Sequence, residues 1–164
     1  MYMHLLGMAE KPFGTSIPAN NLPMLPCLCG SMRRATRALT QFYERELAPV
    51  GLSATQMTIL QALARAGEVT QGRLGEMLAM DSTSLTRTLR IMRREEWVAE
   101  RRGRDRRERL IRLSNRGVKK LREAEPVWER VQLRVHDALG EQDWKQLMEL
   151  AYRAAVATQK GDKQ

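Results

Sequence analysis

Catalytic raw material is scarce in this sequence. Its 164 residues include only two histidines, His4 and His136, and two cysteines, Cys27 and Cys29. There is no metal-ligand spacing, no nucleophile elbow and no glycine-rich phosphate loop. No catalytic residue, metal site or cofactor is expected, and an enzyme is the least favoured class. Cys27 and Cys29 stand one residue apart, which excludes a disulfide framework and suits a reducing compartment. No apolar run approaches the roughly 18 residues that cross a bilayer. Met1 to Gly7 lacks the basic start and apolar stretch of a secretory signal. The chain reads as soluble and cytoplasmic, with no membrane partner.

Helix-forming residues and positive charge are what the chain has in excess. Leu, Ala, Met and Arg abound while aromatics are only 5%, so a mostly helical fold is expected. The length suits one domain with a real core. A net charge of +9 points to a polyanionic partner. Charge alone leaves DNA, RNA and an anionic membrane open.

Residues 1–26 carry Pro12, Pro18, Pro23 and Pro26 with Gly7 and Gly14, which predicts an irregular N-terminal arm. From Cys27 onward, Leu28, Met32, Ala35, Leu39 and Phe42 recur at steps of four and three, the stripe of a helix over about 27–48. Pro49 and Gly51 end it. Ser53 reads as the N-cap of a second helix, with Met57, Leu60 and Leu63 inward and Gly67 closing it. Thr70 caps a short third helix with Leu74, Met77 and Leu78 on its buried side. Asp81 or Ser82 caps a fourth, in which Leu85, Leu89 and Met92 fall within about 60° of the wheel. Thr83, Arg87, Arg90 and Arg94 lie on its other side.

Trp97-Val98 and Leu110 to Leu113 then flank a tip of Gly103, Asp105 and arginines, the pattern of a β-hairpin. Helical spacing resumes over about 114–158, where Pro126 is expected to kink or restart the helix. Residues 159–164 read as a frayed tail. The fold class is therefore mostly α with a small β-hairpin wing. A winged helix-turn-helix covers about 53–113, inside a single domain of 27–158.

The fourth helix and the hairpin carry the functional signal. Bidentate arginine reads guanine in the major groove, and long charged side chains enter a narrow minor groove. Candidate DNA contacts are Ser82, Thr83, Thr86, Arg87, Arg90 and Arg94 on the helix. On the hairpin they are Arg104, Asp105, Arg106 and Arg107. One basic helix face is commonly just solvated, whereas two basic elements joined in this order point to double-stranded DNA. Readers of RNA and single strands stack bases on exposed aromatics, and the basic region holds only Trp97. A nonspecific architectural nucleic-acid-binding protein is the alternative class.

The segment from Asp105 through Arg107 to Leu113, Ser114 and Gly117 resembles the wing signature of MarR regulators. LAPVGLSATQMTILQAL and MDSTSLTRTLRIMRREEWV resemble that family's second-helix entry and its recognition helix with the return into the wing. The likeness covers about residues 28–155. It implies a transcriptional regulator, usually a repressor. Arg107 matches the arginine placed in the minor groove, and Asp105 the acidic residue that organises the wing. Asp105 is followed by Arg106 where the family often has Pro.

Outside the reading head, the helices of about 27–48 and 114–158 carry Leu28, Leu39, Phe42, Trp128, Leu147 and Tyr152, more apolar surface than a monomer readily exposes. A homodimer through these helices is expected, with one self-contained helical core as the alternative. The resemblance implies a two-fold dimer whose recognition helices lie roughly 34–36 Å apart, to match a palindromic operator. It also implies release by a small phenolic or aromatic effector, or by peroxide. For peroxide, Cys29 aligns with the reactive cysteine of organic-hydroperoxide sensors and Tyr43 with one supporting tyrosine. Arg33 and Ala54 occupy the other two tyrosine positions. In the first turn of a helix the dipole favours a thiolate at Cys29. The commoner reading of Cys27 and Cys29 is as small buried apolar residues.

Overall fold

The computed structural model describes residues 25–103 and 108–159. They fall into two units divided within the first helix, one up to Arg37 and one from Ala38. Helix α1 is Leu28–Leu47. In the first unit Ser31 Oγ donates to the Leu25 carbonyl at 3.3 Å, and both cysteines are free and exposed.

In the second unit a 3-10 turn, Ala48–Val50, follows α1 and ends at Gly51 with φ +65°, a conformation that glycine adopts without penalty. Helix α2, Ala54–Ala66, opens with a complete capping box between Ser53 and Gln56. Strand β1, Val69–Thr70, leads into helix α3, Gln71–Leu78, where Thr70 accepts from the Arg73 amide as the N-cap. Helix α4, Ser82–Arg94, is capped by Asp81. Strands β2, Val98–Arg102, and β3, Arg109–Leu113, form the hairpin. Helices α5, Asn115–Leu139, and α6, Glu141–Gln159, complete the described residues.

The sheet is antiparallel in the order β1-β3-β2. Val98 pairs with Leu113 and Arg102 with Arg109, while Val69 pairs with Ile111. The two-residue β1 carries no alternation and leaves no strand signal in the sequence, where Thr70 reads only as a cap. The core gathers Ile59, Leu60 and Leu63 of α2, Leu74 of α3, Leu85, Leu89 and Met92 of α4, and Ile111 of β3, all at most 1% exposed. Met77, expected inward, is exposed, because α3 turns Leu74 into the core with Leu78 packed partly buried beside it and Met77 falls off that stripe.

Both turns around α4 end a helix without glycine. Met80 N–H reaches Gly75 O at 3.0 Å and Ala79 N–H reaches Glu76 O at 3.3 Å. After α4, Trp97 N–H reaches Met92 O at 2.8 Å and Glu96 N–H reaches Arg93 O at 2.9 Å. These are paired Schellman bonds, with Ala79 at φ +49° and Glu96 at φ +58°. Helix α5 runs unbroken through Pro126, correcting the expected restart. Packing outweighs the missing amide, since Ala124 and Val131 on either side are fully buried.

Candidate nucleic-acid interface

Helix α4 has two faces. Leu85, Leu89 and Met92 fix it to the core at no more than 1% exposure. Measured from Leu85 at 100° per residue, Thr83, Thr86, Arg87, Arg90 and Arg94 lie between about 100° and 200°, and all are exposed together with Ser82. Arg87 and Arg90 have no carboxylate partner among the described residues. Arg94 pairs loosely with Glu95 at 3.5 Å in full solvent. Asp81 caps the helix by accepting from the Ser84 amide at 2.9 Å. That backbone hydrogen bond holds the Asp81 carboxyl below its ordinary value.

The hairpin is braced against this helix by a carboxylate that the sequence reading passed over. Glu100 on β2 accepts from Arg93 of α4 and from Arg109 of β3 at 2.7 Å. Burial opposes ionisation of Glu100, but the Arg109 hydrogen bond and the Arg93 charge outweigh it and hold the carboxyl below its usual range. Arg93 is therefore an anchor of the wing. On the far edge Arg101 grips both carboxylate oxygens of Glu68 through Nε and Nη2, so it ties β2 to the turn before β1. Gly103 N–H donates to Glu108 O at 2.9 Å and closes the described ladder. Arg104, Asp105, Arg106 and Arg107 lie outside the described residues.

Gln71 is a second residue that sequence reasoning missed. Its Nε2 donates to Thr86 Oγ1 at 2.8 Å and joins the start of α3 to the exposed face of α4. The two residues are fifteen apart and share no periodic pattern, so no local signal marks the pair.

The side chains expected at a dimer interface have mixed surroundings in the single chain. Leu28 and Tyr152 are exposed, at 72% and 71%, and Leu39 and Leu147 are exposed as well. Phe42 is half-buried, edge-on to Tyr43 and beneath the Arg134 guanidinium at 4.7 Å. Trp128 packs half-buried against the core. Burial raises the Tyr43 pKa, partly offset by a hydrogen bond with Gln132. An open cleft of about 1380 Å³ lies among α3, the start of α4, β3 and the end of α6, with Met77, Leu78, Tyr152 and Val156 on its walls.

Residues 50–108 match the MarR family. The transcriptional regulator MosR of M. tuberculosis, solved in complex with DNA, superposes with a TM-score of 0.74 at 33% identity, covering 82% of this chain and 97% of that one. The chain belongs to the MarR family. A second relative is an uncharacterised HTH-type transcriptional regulator of Bacillus subtilis, YwoH, 29% identical over 96 residues, or 58% of this chain and 70% of that protein. A MarR variant from E. coli complexed with operator DNA shares the fold at a TM-score of 0.70 and 20% identity, covering 77% of this chain and 92% of that one. The three-stranded sheet and six α-helices among the described residues of this MarR-family chain thus have the winged helix-turn-helix architecture expected from its sequence.

Proposed function

We propose that this MarR-family protein is a sequence-specific, double-stranded DNA-binding transcriptional regulator, a repressor that acts as a homodimer on a palindromic operator. The observation that carries this reading is the two-sided α4. Its apolar face locks into the core, while Thr83, Thr86, Arg87 and Arg90 stand exposed with both arginines uncommitted. Helix α4 enters the major groove, where Arg87 and Arg90 present bidentate donors to guanine edges. Ser82, Thr83 and Thr86 meet phosphates or base edges, Arg94 the backbone, and Arg104, Arg106 and Arg107 with Asp105 form the minor-groove tip. The 33% identity to a regulator solved in complex with DNA supports the same reading.

The helices of about 27–48 and 114–158 are the dimerisation helices in this proposal, through Leu28, Leu39, Phe42, Trp128, Leu147 and Tyr152. The cleft between α3 and α6 offers a small phenolic or aromatic effector an apolar wall with polar groups at its edge. Cys29, exposed in the first turn of α1, is the site for a peroxide signal, with Cys27 beside it.

Binding of the purified protein to its own upstream DNA and to a scrambled duplex, at several salt concentrations, tests the proposal. Strong preference for the upstream fragment is expected. Arg107→Ala is expected to weaken binding and flatten the salt dependence by about one unit of slope. Equal affinity for both duplexes at every salt concentration overturns the sequence-specific reading in favour of an architectural binder. Release by peroxide that Cys29→Ser abolishes would establish the oxidative signal.

A further inference from the structure

The Thr86 hydroxyl, on the exposed face of α4, is assigned differently from its neighbours. Thr58 and Thr88 spend their protons on the carbonyls four residues back, Ala54 O and Ser84 O, at 3.0 Å each. Thr86 makes no such bond. Its Oγ1 instead accepts from Gln71 Nε2 at 2.8 Å, and its proton has no acceptor among the described residues. A hydroxyl has one proton and two lone pairs. With one lone pair taken by the amide, the O–H is polarised into a better donor, and Thr86 stands on the exposed side of α4.

We propose that Gln71 is a positioning residue that sets Thr86 as a hydrogen-bond donor to one acceptor atom of the bound duplex, and so adds specificity at a single point of the site. The inference rests on the DNA-binding reading above. The acceptor is a purine N7, guanine O6 or thymine O4, the base-edge atoms of the major groove that take a hydroxyl proton. Thr70 and Gln71 stand at the N-terminus of α3, so the separation of α3 from α4 governs the donor's direction. A change in that separation removes the contact while leaving Arg87 and Arg90 on the same face of α4.

The probe is duplex DNA enriched by the wild-type protein from a random library. Gln71→Met keeps the length of the side chain and removes the donor, Thr86→Val keeps the shape and removes the hydroxyl, and Thr86→Ser restores it. Gln71→Met and Thr86→Val are each expected to weaken binding roughly tenfold, and the double variant no further, because both remove the same contact. Thr86→Ser is expected to bind as the wild type does. Enrichment by the two weakened variants should relax at one shared position. Scanning the probe with 7-deazapurines for N7, 2-aminopurine for guanine O6 and 5-methyl-2-pyrimidinone for thymine O4 locates the acceptor, marked by the substitution that costs the wild type but not Thr86→Val. If only a methylphosphonate linkage does so, the contact is to the backbone and the proposal is overturned.

Gln71→Met binding as tightly as wild type, losses that multiply in the double variant, or relaxation at unrelated positions overturns the proposal. Arg87→Ala weakens binding under the DNA-binding reading whatever Gln71 does. If Arg87→Ala binds normally or the wild type enriches no sequence, that broader reading fails; if only the Gln71 results fail, it stands.

Discussion

Gly117 sits so close beneath the Trp97 carbonyl that any side chain would displace backbone. A Cβ built there falls 1.9 Å from that oxygen. Three more bonds close the joint: Ser114 N–H to Trp97 O at 3.1 Å, Ser114 Oγ to Glu96 O, and Gly117 N–H to Ser114 Oγ at 2.9 Å. Arg116 also pairs with the Glu96 carboxylate at 2.8 Å. The first turn of α5 is thereby riveted to the end of α4. Gly117→Ala is expected to destabilise the fold by roughly 3 kcal/mol through overpacking, read as a lowered urea midpoint with unchanged slope. Ser114 and Gly117 were visible in the sequence as a spaced pair. What they clamp was not, because Glu96 in a left-handed turn carries no glycine to announce it. Gln71 was illegible for a related reason: its partner Thr86 lies on another helix.

The helix order through α4 was legible because cap candidates and apolar spacing agree there, and Ser53, Thr70 and Asp81 each accept a capping amide bond, whereas 114–158 offered helical spacing alone. The bracing of the wing was less so, since a half-buried strand glutamate looks like any surface carboxylate until Arg93 and Arg109 converge on it. Glu100 makes a pH prediction. Its folded pKa lies below the ordinary value, so its stabilising contribution is fully present above the unfolded-state pKa and is lost as pH falls through the folded one. Glu100→Gln is expected to unfold at lower urea than wild type at neutral pH. The two midpoints should converge in acid, below the ordinary carboxylate range. A gap that stays constant down to that range would show that Glu100 acts by shape rather than by charge.

For the whole molecule, exposed apolar side chains cluster on the C-terminal helix. Leu147, Met148, Leu150 and Tyr152 of α6 range from 41% to 71% exposed, which a lone protomer in water does not favour. Wild-type protein is expected to sediment as a dimer. Leu147→Asp with Tyr152→Asp should shift the mass toward monomer and weaken operator binding, since two half-sites then engage independently. A dimer mass for that variant at micromolar concentration would place the interface elsewhere. Pro126 in α5 bears on how such a molecule moves. It has no amide, so the Arg122 carbonyl lacks its helical partner. On one side of that gap Leu121 and Ala124 pack on the core; on the other, Gln132 bonds Tyr43 and Arg134 pairs with Glu46 of α1 at 2.7 Å. Val127 and Trp128, just past the missing rung, pack against the same core as Ala124, so the core itself spans the gap. Amide exchange in α5 is therefore expected to be fastest beside that rung and slow on both sides of it.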